Sequence, residues 1–214
     1  MMLYQKYRPR SWNEVVGQDE AVLVLDRLRK VSLGGRALWI SGLSGTGKSS
    51  LAMLAAQEVA DPLNIEEYDA GRLTDKGVEQ IERSLHYYRI GKKSGAAILI
   101  NEAHAMKAPV VRQLLVTLER IPSHAVWVFT TTFHGQLSLF DKSDDAHPLL
   151  SRCICITMKG TGLELPFALR AREIARAEGL DGADLEAYIE LARACRSNLR
   201  EMLNILESGA MLVQ

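Results

Sequence analysis

The 214-residue chain balances 26 Lys and Arg against 26 Asp and Glu, a formal net charge of zero. Nothing global therefore draws it to nucleic acid or a membrane surface, and any such contact has to come from a local basic face. The length suits one or two domains with a sizeable core. Its cysteines, Cys153, Cys155 and Cys195, lack the second pair of a zinc site and read as reduced, partly buried thiols, Cys153 and Cys155 sharing one strand face. With no apolar leader and no run of membrane length in the sequence, the expected protein is soluble, cytoplasmic and free of membrane contact.

Residues 1–34 open with an aromatic, basic stretch around Pro9, which predicts an ordered, non-helical arm. Lys6, Arg8 and Arg10 read as a solvated cluster. Asp19 is placed to cap a helix whose Ala21, Leu23, Val24, Leu25 and Leu28 recur at roughly helical spacing.

The run Ala37-Leu38-Trp39-Ile40 predicts a buried strand, and the stretch from Leu51 to Val59 a helix. Between them lies Gly42-x-x-x-x-Gly47-Lys48-Ser49, the strand–loop–helix setting of a phosphate-binding loop. Glycines let the backbone turn its N–H groups inward on a phosphate chain, and the helix N-terminus adds partial positive charge there. Gly42, Ser44, Gly45, Thr46, Gly47, Lys48, Ser49 and Ser50 are the candidate cradle. Lys48 is the group for the outer phosphates and the Ser49 hydroxyl a ligand for Mg²⁺. The motif predicts a nucleoside triphosphate with Mg²⁺ as the ligand.

Pro62 is expected to break the helix, followed by a strand over Ile65–Tyr68 that ends at Asp69-Ala70. A further helix with Val78, Ile81 and Leu85 on one face should end near Gly91. The apolar run Ala96–Ile100 followed by Asn101-Glu102 reads as the acidic strand end that accompanies a phosphate loop. Such strands usually finish Asp-Glu, the Asp holding Mg²⁺ through water and the Glu activating the attacking water. Here Glu102 is the candidate base. Asn101 is able to hydrogen-bond a metal-bound water but brings no charge, which should weaken metal binding and slow hydrolysis more than it affects nucleotide binding.

Val110, Val111, Leu114, Leu115 and Leu118 predict an amphipathic helix ended by Ile121-Pro122, and Ala125–Thr132 a strand with a polar terminus. Asp141, Asp144, Asp145 and Pro148 mark a loop, and Ser151-Arg152-Cys153 follows. After the Gly160-Thr161-Gly162 break, three apolar patterns (Phe167–Ala175, Leu185–Ala192 and Leu199–Leu206) predict a small helical lid. The expected division is a core over 1–160 and a lid over 161–214.

Tyr7-Arg8-Pro9 with Val15-Val16-Gly17-Gln18, the phosphate loop, Asn101-Glu102-Ala103-His104, Ser151-Arg152-Cys153 and Ser197-Asn198-Leu199-Arg200 together resemble AAA+ clamp-loader ATPase subunits of the gamma/tau and replication-factor-C type, over residues 4–208. The resemblance implies an α/β fold, a core with a central parallel five-stranded sheet followed by the lid. It implies an adenine pocket at Tyr7, Arg8, Val15 and Val16, and a γ-phosphate sensor at Thr132, with Thr131 the fallback. Arg200 is implied as a second sensor reaching from the lid, and Arg152 as an arginine finger acting in trans in a neighbour's site. Arg72, Lys76, Arg83, Arg89, Lys92 and Lys93 would line a DNA channel or form an ordinary solvated face.

The implied activity is ATP hydrolysis at inter-subunit sites of a homo- or hetero-oligomer, with primed DNA and a sliding clamp as clients in replication. The sequence departs from the family at Asn101 and in having no four-cysteine zinc module, and the expected form is a minimal one that ends with the lid, without a collar domain. Two other readings stand beside it: a structural ATP-binding subunit that scarcely hydrolyses, and an ATP-dependent remodeller or kinase with another partner.

Overall fold

In the computed structural model the described residues are 1–87, 89–133, 135–136 and 145–212. Five strands form the sheet: β1 (Arg36–Ser41), the acidic edge strand β2 (Ile65–Asp69), β3 (Ala96–Asn101), β4 (Ala125–Thr131) and β5 (Ile154–Thr157). All four pairings are parallel, in the order β2-β3-β4-β1-β5. The parallel five-stranded sheet expected above is present. Strands buried on both faces read as continuous apolar runs, and β1, β3 and β4 are almost wholly buried.

Alternation along the strands sends side chains to two layers. Leu38, Ile40, Leu99, Val126 and Val128 face α2 (Asp19–Arg29) and α3 (Lys48–Val59), where Leu25, Leu51 and Ala55 are fully buried. Each large aliphatic side chain removed from water in this layer contributes roughly 1.5–3 kcal/mol. Trp39, Ile98, Trp127 and Phe129 face α4 (Asp75–Ser84), α5 (Ala108–Thr117) and α6 (Ala146–Ser151). There the rings of Trp39 and Phe129 stack at 5.5 Å. The helices α7 (Glu164–Ala177), α8 (Leu185–Ala194) and α9 (Leu199–Glu207) close a third cluster around Phe167, Tyr188 and Met202. Among the described residues no helix is long and apolar enough to cross a membrane.

The structure corrects several local expectations. The arm is partly helical: α1 (Leu3–Lys6) makes one turn and Trp12–Glu14 a 3₁₀ turn. Leu3 is buried in the α7–α9 cluster, and its N–H is taken by the Glu207 carboxylate at 2.5 Å, so docking stabilises a turn that propensity alone would not. Pro9 ends that turn, because the residue before a proline avoids the helical region. Asp19 is the first residue of α2 rather than its cap. Gln18 holds the cap position, and its side chain exchanges two hydrogen bonds with the Lys159 backbone.

α4 stops at Ser84, well before Gly91. The chain beyond it is tied back by the Asp61 carboxylate, which accepts the Lys92 N–H at 2.6 Å and the Lys93 N–H at 3.2 Å. Pro148, expected in a loop, lies in the first turn of α6, where proline costs no helical hydrogen bond. Asp141 and Asp144 lie outside the described residues. Cys153 and Cys155 are free thiols, half-buried and exposed respectively, and burial pushes the Cys153 thiol up to about 12.

Candidate nucleotide site

The carboxyl ends of β1 and β3 and the N-terminus of α3 meet the arm and the third helical cluster around a cleft of about 370 Å³. Its floor is the loop between β1 and α3. Gly45 and Gly47 adopt φ of +73° and +99°, a left-handed backbone that side chains resist. Gly42 is needed for a different reason: a Cβ there would stand 2.9 Å from the Met158 Cβ. Inside the loop the Thr46 hydroxyl donates to the Leu43 carbonyl at 2.8 Å, and Lys48 Nζ donates to the same oxygen at 2.7 Å. Lys48 is only 8% exposed. Burial holds its ammonium below the ordinary lysine value, Glu102 opposing that shift and Arg200 adding to it. An anion in the loop would relieve that desolvated charge.

The arm closes one side. Arg8 Nη2 donates to the Ser49 carbonyl at 2.7 Å, fastening the arm to the first turn of α3. Val15 and Trp12 pack on the sheet side, while Tyr4, Tyr7 and Val16 pack against the α7–α9 cluster, so the arm bridges two hydrophobic cores. Glu178 after α7 receives Lys6 Nζ at 2.6 Å and also the Tyr7 hydroxyl. The opposite side is α9. Arg200 is exposed, its guanidinium 5.4 Å from the centre of the Tyr4 ring.

The two residues before Asn198 hold left-handed conformations, Arg196 at φ 49° and Ser197 at φ 55°. Backbone strain of this kind collects at functional sites. A Cβ on Gly45 would fall 1.7 Å from Asn198 Oδ1, so the head of α9 rests directly on the phosphate loop.

At the end of β3, Glu102 lines the cleft with φ 54°, a conformation costing a non-glycine residue roughly 1–2 kcal/mol. His104 Nδ1 lies 3.4 Å from Glu102 Oε2 and 3.1 Å from Thr131 Oγ1. The hydroxyl tied to the candidate base is thus that of Thr131, which is fully buried. Thr132 Oγ1 accepts the Gly135 N–H at 3.0 Å, serving the next turn. Asn101 accepts from Thr130 Oγ1 at 3.0 Å and donates through Nδ2 to Glu67 Oε2 at 3.3 Å.

Of the residues singled out in the sequence, Tyr7, Arg8, Val15, Val16, Ser44, Gly45, Thr46, Gly47, Lys48, Ser49, Ser50, Glu102 and Arg200 line the cleft. Gly42, Asn101, Thr132 and Arg152 do not. Arg152 ends α6 and is ion-paired with Glu119 at 2.5 Å. Tyr4, Glu14 and Arg170 also line the cleft, and the sequence does not single them out as site residues. The signal for Arg170 was its position between Phe167 and Ile174 at helical spacing, where a cation interrupts a core-facing stripe. Arg83 and Arg89 are ion-paired with Glu79 and Glu66.

The glycine cradle, the desolvated lysine, the apolar arm and two further arginines fit a nucleoside triphosphate. The Ser49 hydroxyl and the Glu102 carboxylate are the hard donors of the cleft that suit Mg²⁺, and Asn101, next to Glu102 but outside the lining, would reach the ion only through a bound water.

The model of the ATPase family associated with various cellular activities matches residues 38–157, more than half of the chain. The chain is 27% identical over 216 residues to replication factor C small subunit 1 of Pyrobaculum arsenaticum, covering 97% of this chain and 61% of that protein. It is 27% identical over 235 residues to DNA polymerase III subunit tau of Escherichia coli, covering 97% of this chain and 34% of that protein. It thus spans about three fifths of the one relative and about a third of the other. Among solved structures, the Thermotoga maritima RuvB Holliday junction branch migration motor shares the fold. Its TM-score is 0.72 at 19% identity, over 94% of this chain and 64% of that one.

Proposed function

The chain belongs to the ATPase family associated with various cellular activities, related to clamp-loader subunits, and from that premise we propose that it is a cytoplasmic, clamp-loader-like ATPase subunit. ATP with Mg²⁺ binds between a core of residues 1–160 and a lid of residues 161–214, and its hydrolysis drives conformational work on primed DNA or a sliding clamp. The observation that carries this reading is the three-sided cleft, where Lys48, Arg8 and Arg200 come from loop, arm and lid to one cavity. Such a site couples the nucleotide's phosphates to lid position.

Lys48, Ser49 and Arg200 take the phosphates and metal; Tyr7, Arg8, Val15 and Val16 take the base side. Glu102 orients the attacking water, with Thr131 rather than Thr132 as the sensing hydroxyl because His104 joins it to Glu102. Arg152 lies outside its own cleft, which suits a group that completes a neighbour's site in an oligomer. Arg72, Lys76 and Lys92, all exposed, are the candidate DNA-facing cations.

A second reading, a subunit that binds ATP but hardly turns it over, is favoured by the uncharged Asn101. One experiment separates the two: ATPase turnover across a protein concentration series, with and without primed DNA, beside Arg152→Ala. Turnover that rises with concentration and falls about 10³-fold in Arg152→Ala, with ATP binding retained, supports shared sites. ATP binding with background turnover throughout supports the second reading.

A further inference from the structure

An aspartate at the end of β3 would place a full negative charge beside the metal; Asn101 places none. Three acids flank Asn101, and two have other work. Asp69, its direct partner in the β2–β3 register, gives Oδ1 to the Gly71 N–H at 2.9 Å. The Glu102 carboxylate contacts His104. Glu67 is different. It pairs in register with Leu99, two residues before Asn101, so Glu67 and Asn101 share the sheet face covered by α3.

We propose that Glu67 is a positioning residue for the nucleotide's metal, its carboxylate orienting the Asn101 amide and restoring part of the charge that an aspartate would supply. The inference rests on the ATP-site reading above. An amide has two orientations, and its partners select one. With Glu67 Oε2 3.3 Å from Nδ2 and the Thr130 hydroxyl 3.0 Å from Oδ1, the carbonyl oxygen would keep a lone pair that a metal-bound water could use. The alternative orientation would turn N–H groups on that water and set Oδ1 against a carboxylate. A charge one hydrogen bond removed from a metal's shell also raises the basicity of the group it touches. Glu67 is exposed, so its substitution leaves the core intact.

The test is Mn²⁺ affinity, read by loss of the free-ion EPR signal in the presence of ATPγS, for wild type, Glu67→Gln, Asn101→Asp and the double variant. ATPγS affinity in EDTA is measured beside it. Glu67→Gln is expected to weaken Mn²⁺ binding about tenfold while metal-free nucleotide affinity stays within twofold. In the Asn101→Asp background the same change should leave Mn²⁺ affinity equal or higher, since there Glu67 faces a like charge. Unchanged Mn²⁺ affinity in Glu67→Gln, with ATPγS still bound, would overturn the inference alone. So would an equal loss in both backgrounds. A protein that binds no ATPγS in either condition would overturn the site and the inference together.

Discussion

The two walls of the cleft are held by different physics. The sheet wall, from the phosphate loop to Glu102, grows out of strands that are almost wholly buried, and parallel register sets its polar ends against one another. The wall made by the arm and helices α7–α9 buries Leu3 in its own apolar cluster and is joined at its surface by partly exposed groups: Glu178 with Lys6 and Tyr7, Arg200 over Tyr4, Asn198 against Gly45. Exposed ion pairs contribute little, typically under about 1 kcal/mol each. A deeply buried wall thus faces one whose surface contacts are individually weak.

The largest expected effect comes from the place where the walls touch. Gly45→Ala adds a Cβ that would overlap Asn198 Oδ1 at 1.7 Å and press its Cα at 3.0 Å, on a backbone at φ +73°. The strain of the left-handed residue and loss of the α9 cap together cost roughly 2–3 kcal/mol. Nucleotide affinity, measured with a fluorescent ATP analogue, should fall roughly 30- to 100-fold. Adding Asn198→Ala should recover part of it. Wild-type affinity in Gly45→Ala would mean that α9 does not rest on the loop in solution.

A sharper comparison lies within the sheet wall. Thr131→Val removes the hydroxyl that meets His104 and the Thr132 carbonyl. Losing such buried hydrogen bonds costs about 1–3 kcal/mol. We expect turnover to fall about tenfold, with ATP binding nearly unchanged. Thr132→Val removes only the bond from the Gly135 N–H and should lower the melting temperature slightly while turnover stays within about twofold. The opposite ranking would return the sensing role to Thr132.

The same contrast explains what could be read from the chain. The sheet wall was legible because its signals are local: apolar runs for β1, β3 and β4, and glycines spaced for one loop. Lys48, Ser49 and Glu102 came with those motifs. Arg170 and Tyr4 were not legible as cleft residues, because their placement depends on contacts between segments more than 100 residues apart, as in the Tyr4–Arg200 ring contact. The pairing of Glu67 with Asn101 depends on strand register, which no periodicity within β2 reveals. The turn at α1 has the same origin, since Leu3 is helical where the α7–α9 cluster receives it.

The smallest predicted effect tests the contact between the arm and Glu178 alone. Lys6 first and Tyr7 second hold Glu178 below its ordinary 4.5, while Glu178 holds Lys6 above 10.5 and Tyr7 above 10.0. A lowered acid contributes fully above 4.5, and that share is lost as pH falls through its folded value. A raised phenol and ammonium contribute fully below about 10, and their share is lost as pH rises through their folded values. The melting-temperature difference between wild type and Glu178→Gln should therefore be largest between about pH 5 and 9, near 1–2 °C, and close at both extremes. A difference that persisted into acid would place the stabilising contact elsewhere than the Glu178 carboxylate. No difference at neutral pH would mean that the arm is held by its apolar packing, through Leu3, Trp12, Val15 and Val16, and by Arg8, without a contribution from Glu178.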